Sequence, residues 1–136
     1  FISNRKLEFK KHYLKNGTKK LLYEIKIPRT ATLFLTHFSL NQDVRAKQFK
    51  EIENLAKKHR KVIICGDFNL FGGNDELKDL IQNLNLKIAN KKPTFPAFKP
   101  SKLFDTFLCS RKMKVKSKVI KADISDHLPV VLEIIN

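Results

Sequence analysis

Val62-Ile63-Ile64-Cys65-Gly66-Asp67-Phe68-Asn69 is the stretch that decides how this chain reads. Its apolar run, with three β-branched residues, predicts a central strand over 61–65. Gly66 allows a tight exit from that strand and close approach of a ligand. Asp67 and Asn69 are two apart, so on an extended backbone they face the same side. There they can orient a water and hold a phosphoryl oxygen. An Asx-turn closing the strand is the plainer alternative. Two other segments repeat the pattern. The run Ala31 to Thr36 ends at His37, and Ser125-Asp126-His127 precedes Leu128-Pro129-Val130. Such polar groups are costly beside buried strands unless paired or used. The three segments predict a site assembled from strand ends.

Outward from these segments, the rest of the chain supplies a frame. The opening residues read as the end of a strand. Lys6–Leu14 and Leu21–Ile27 form a hairpin, with Asn16-Gly17 as a type I′ turn. Asn41 to His59 reads as a helix capped by Asn41, with Asp43 in its first turn. Phe49, Ile52, Leu55 and Ala56 form its apolar stripe. Arg45 and Gln48 fall on or beside that stripe, so they are expected to bond to something buried. Asp75 to Leu84 is a short helix and Leu86 to Ala89 a short strand. Residues 90–102, with Pro93, Pro96 and Pro100, form a surface loop. Strands follow at 103–109, 112–121 and 128–135. In the second of these, Lys112, Lys114, Lys116 and Lys118 alternate with apolar residues or Ser, giving a basic outer face that also guards an edge. Strands dominate over two helices, so the class is α/β or α+β with a mixed sheet.

The 136 residues make one domain or part of one. An apolar fraction of 42%, with 11 Phe and no Trp, allows a real core. The balance of 28 basic against 13 acidic residues gives +15. It points to a solvated basic surface or to attraction to a polyanion: nucleic acid, anionic lipid or a phosphorylated small molecule. Cys65 and Cys109 lie in apolar runs and read as buried small hydrophobes, too few for a disulfide framework or zinc site. No apolar stretch is long enough to span a bilayer. Without an initiator Met there is room for an upstream targeting segment; a cytoplasmic location is the expectation.

Neighbours on an extended chain point opposite ways, so Asp126 and His127 are not expected to pair. One can face a metal and the other the substrate. His127 then needs another carboxylate, and Asp105, inside an apolar strand, is the best candidate. His12 and His59 sit among lysines and read as surface residues. Thr94 and Ser125 lack a His-Asp arrangement of their own, which disfavours a serine-type hydrolase.

Thr36-His37, Arg45-x-x-Gln48, Gly66-Asp67-Phe68-Asn69, Asp105 and Ser125-Asp126-His127-Leu128-Pro129-Val130, in that order, resemble the endonuclease/exonuclease/phosphatase family with the DNase I-like fold. The resemblance implies a four-layered sandwich of two mixed sheets with outer helices, of which residues 1–136 would be the C-terminal part. It implies a Mg2+ (or Mn2+) dependent phosphoesterase. By position, Asp67 resembles the residue that activates the attacking water. Asn69 resembles its phosphate-binding partner, which also supports a metal ligand. His127 resembles a phosphate-contacting His with Asp105 as its carboxylate, and His37 the second such His. Asp126 resembles a metal-proximal Asp, and Arg45 and Gln48 a supporting helix motif. The family's N-terminal Asn and its main metal-binding Glu have no counterpart here. Glu8, Glu24, Glu51, Glu53, Glu76 and Glu133 lack the right context to substitute. Phe1 to Arg5 resembles the mid-domain strand that follows that Glu.

The expected activity is phosphoester hydrolysis, with nucleic acid favoured over anionic lipid or inositol phosphate as partner. The alternatives are a non-catalytic nucleic-acid or anionic-lipid binding module and an inactive fragment.

Overall fold

In the computed structural model, which describes residues 1–122 and 124–135, three layers stack in the order helices, large sheet, small sheet. The large sheet has six strands: β1 (Phe9–Tyr13), β2 (Leu21–Ile27), β3 (Ala31–His37), β4 (Val62–Asp67), β5 (Leu86–Ile88) and β6 (Asp105–Ser110), in the order β1-β2-β3-β4-β6-β5. Among the described residues only β3 and β4 pair in parallel, with His37 opposite Asp67; the other pairs are antiparallel. The small sheet is the antiparallel pair β7 (Val115–Val119) and β8 (Val130–Ile134). These are two mixed or antiparallel sheets with helices on the outside of one. Three of the four expected layers therefore fall within this chain.

Alternation along the central strands divides the core in two. Phe34, Val62, Ile64 and Leu108 face α1 (Gln42–Ala56) and α2 (Lys78–Asn83), where Phe49, Ile52, Ala56 and Leu80 meet them. Leu33, Ile63, Phe107 and Cys109 face the small sheet and pack on Val115, Leu132 and Ile134. That leaves Lys114, Lys116 and Lys118 on its exposed side, as the sequence predicts. Both cysteines are buried and free. Asn41 caps α1 by accepting the Val44 N–H (3.0 Å). Arg45 and Gln48 are fully buried, as expected. Arg45 Nε donates to Glu76 (2.8 Å) and Nη1 to the carbonyls of Ser39 and Leu40.

Several elements differ from the sequence reading. Asn16-Gly17 is no two-residue turn; the loop spans 14–20 because α1 offers it partners. Glu51 accepts from the Asn16 side chain (2.8 Å), and Gln48 Nε2 donates to the carbonyls of Asn16 and Lys19. The first residues form no strand; Phe1 instead packs edge-on against Phe9 and Tyr23. Helix α1 ends at Ala56, three residues early. The second helix begins as a 3-10 turn over Asn74–Leu77. His12 and His59 are not simple surface groups. Both turn to the buried Glu24, at 2.8 and 3.4 Å, because a lone carboxylate on an inward strand position needs partners. No helix among the described residues is long and apolar enough to cross a membrane.

Candidate active site

The parallel β3–β4 pair sets the site. Both strands run to the same edge of the sheet, so His37 and Asp67 end side by side, with His37 Nε2 3.1 Å from Asp67 Oδ2. Gly66 makes this possible. Its φ is +134°, and a Cβ there would stand 1.8 Å from the Thr36 carbonyl oxygen, so no side chain fits. Beside them, antiparallel β6 brings Asp105 opposite Asp67. The 125–128 segment then lays His127 over Asp105, with Nδ1 2.7 Å from Oδ2. Two His-Asp pairs thus face one pocket of about 490 Å3, which Asn69 and Asp126 also line.

The chain beyond Gly66 is not extended. Asn69 has φ +51°, and Asp67 Oδ1 accepts its backbone N–H (2.9 Å). The same-side reading of Asp67 and Asn69 is replaced by a turn in which the Asp carboxylate is fixed by the Asn backbone. The Asn69 side chain is 3% exposed and donates to the Phe38 carbonyl (3.0 Å). The 125–128 segment is likewise bent rather than extended. Asp126 and His127 line the same pocket instead of opposite faces, and Asp126 accepts from the Ser125 hydroxyl (3.2 Å).

Two contributors escaped the sequence reading. Thr94 lies in the proline-rich loop, yet it is fully buried. Its hydroxyl donates to Asp105 Oδ2 (2.7 Å), the oxygen that also meets His127, and accepts the N–H groups of Phe104 and Asp105. Its carbonyl takes the Leu128 N–H (2.8 Å). Sequence reasoning weighed Thr94 only as a nucleophile; the loop's Pro93-Thr94-Phe95 gave no sign of an inward turn. Lys19 reaches the site from the 14–20 loop, and its Nζ touches His37 Nε2. No local pattern marks it among so many lysines.

The electrostatics differ between the pairs. Burial opposes a charge on His127, but the Asp105 hydrogen bond and the Asp105, Asp67 and Asp126 charges outweigh it, so its pKa is raised. Burial lowers the pKa of His37; the nearby Lys19 and His127 charges act the same way, and Asp67 only partly offsets them. Burial raises the Asp67 carboxyl against the Asn69 N–H and His37. The pocket therefore holds one imidazole that favours its cation, one that favours its neutral form, and a carboxylate made more basic by its setting.

A metal requires several donors turned toward one point. Asp67 is bonded to His37 and Asn69, and Asp105 to His127 and Thr94. Among the described residues no group of three or more His, Cys, Asp or Glu is arranged to hold an ion. Among the described residues these donors do not by themselves form a site arranged for a cation.

The comparisons accord with this geometry. An endonuclease/exonuclease/phosphatase family protein of Bacteroides thetaiotaomicron superposes with a TM-score of 0.73 at 16% identity, over 93% of this chain and 62% of that one. The cytolethal distending toxin of Haemophilus ducreyi gives 0.69 at 18%, over 96% and 59%. A mannosyl-6-phosphatase of Bacteroides thetaiotaomicron gives 0.72 at 16%, over 95% and 66%. These likenesses are of fold, and the chain spans less than two thirds of the first two structures. No curated protein sequence matches it. The fold is that of a DNase I-like domain. Residues 33–131 match a family model described as Endonuclease-reverse transcriptase, and the chain belongs to this endonuclease/exonuclease/phosphatase family.

Proposed function

We propose that this site hydrolyses a phosphoester by in-line attack of water, which breaks the opposite P–O bond and releases the ester oxygen as an alcohol that takes its proton from solvent. The observation that carries the reading is the convergence of the His37-Asp67 and His127-Asp105 pairs on one pocket. Asp67, raised in basicity by burial, takes the proton of the attacking water. His127, whose cation Asp105 favours, donates through its other nitrogen to a phosphoryl oxygen. Lys19 adds positive charge beside His37, whose own cation burial disfavours, and Asn69 lines the phosphate position. The family resemblance adds Mg2+ or Mn2+, with Asp126 as a ligand and further donors from outside residues 1–136. On the same reading, this chain is the C-terminal part of a larger domain.

The test is a substrate panel on the protein containing this chain: abasic DNA, plain duplex, sphingomyelin and inositol phosphates, with and without Mg2+. Asp67→Asn is expected to cost about 10²–10⁴-fold in turnover, the usual span for a general base. Near-normal turnover in that variant would overturn the assignment.

A further inference from the structure

The end of the sheet opposite the catalytic pocket is also built, and in another style. Two segments meet there: the β2–β3 turn and the 57–61 loop that follows α1. Between them lies an open pocket of about 460 Å3 that Lys26, Arg29, Arg60 and Lys61 line, with no acidic residue in its wall. Among the described residues, only Lys26 of these cations has a carboxylate at hand, Glu8 at 2.9 Å. Like charges gathered around one concavity repel each other, and the fold gains nothing by collecting them.

Two observations separate this pocket from a chance patch of surface lysines. Arg29 sits at the third position of the Ile27–Thr30 turn with φ +59°. That left-handed backbone suits Gly or Asn and strains Arg, yet the long cation stands there, exposed beside the pocket. The floor is also pre-set. Thr32 is buried and its hydroxyl lies 3.1 Å from His59 Nδ1, while the other His59 nitrogen is held by the buried Glu24, which also holds His12. No step at the catalytic pocket uses this network.

We infer that the pocket of Lys26, Arg29, Arg60 and Lys61 is a second, non-catalytic binding site that grips the phosphodiester backbone of a nucleic-acid strand. Guanidinium groups match phosphate oxygens in pairs, and open walls let a chain pass through. A membrane fits this end poorly. None of the exposed large apolar side chains among the described residues lines this pocket, whereas Leu40, Phe71 and Phe98 line pockets at the other end. From Ala31 to His37 the strand covers about 20 Å, so the two sites are separate in space. The inference does not depend on the catalytic reading.

Binding of a fluorescein-labelled single-stranded 12-mer, followed by anisotropy between 50 and 200 mM salt, tests it in the protein containing this chain. Asp67→Asn serves as background, to prevent cutting. Arg29→Asn keeps the turn and removes the charge; with Arg60→Gln it is expected to weaken binding at least tenfold. The slope of log K against log salt should shrink by about 1.4, the value for two lost single-strand phosphate contacts. Arg29→Asn alone should leave the thermal midpoint unchanged or higher. Hydrolysis of bis(p-nitrophenyl) phosphate by the Arg29→Asn/Arg60→Gln protein with Asp67 intact should match that of the parent. Equal loss in a Lys47→Gln/Lys78→Gln control would reduce the effect to net charge and overturn the inference. So would unchanged oligonucleotide binding, or a loss seen only on phosphatidylserine vesicles.

Discussion

Thr94 shows what one hydroxyl settles. It gives its proton to Asp105 Oδ2 and takes two backbone N–H groups, so the carboxylate has one orientation left. That orientation aims the carboxylate at His127 Nδ1 and leaves the other ring nitrogen for the pocket. Thr94→Val is expected to lower turnover about 10–100-fold, the worth of a hydrogen bond to a charged group, and Thr94→Ser to restore most of it. Steady-state kinetics on the two variants check this; equal loss in both would remove the role. The neighbouring acids needed no such discovery. Asp67, Asp105 and His127 stand out in the sequence because each is a polar residue in or beside an apolar run. Thr94 has no such contrast, and its importance comes from how a loop folds back, which no local pattern encodes.

Elements were legible where their period was strong. The stripe of α1, the apolar runs of β3 and β4 and the alternation of β7 all appear in the structure, although β7 covers Val115–Val119 rather than 112–121. The 14–20 loop was not, because its shape is set by Glu51 and Gln48 on a distant helix. The same helix depends on a long-range tie of its own. Arg45, without exposed surface, joins α1 to the 3-10 turn through Glu76. Breaking a buried pair from one side strands the other charge, at a cost of about 3–5 kcal/mol. Arg45→Met is therefore expected to lower the urea midpoint sharply, and Arg45→Met/Glu76→Leu to recover part of the loss. A single variant as stable as the parent would show that the pair is dispensable.

The whole molecule is unevenly covered. The outer part of β1–β2 exposes Phe9, Tyr13 and Leu21, with Phe1 alongside, while the small sheet shields only the central strands on that side. If residues 1–136 are the C-terminal part of a larger domain, as proposed, the isolated chain is expected to self-associate through this surface. Sedimentation velocity over a tenfold concentration range reads this directly. A monomeric, cooperatively folding chain would argue against the larger domain. The charges are unevenly placed as well: carboxylates gather at the edge that holds the candidate site, and Lys26, Arg29, Arg60 and Lys61 at the far one.

The parallel pairing of β3 and β4 has a consequence in time. No tight turn can close it, because the chain must first pass through residues 38–61. Contacts between such distant partners form slowly, after local helices and hairpins. His37 meets Asp67 only when that long detour has closed. A chain caught halfway through folding holds both residues without the pair they form.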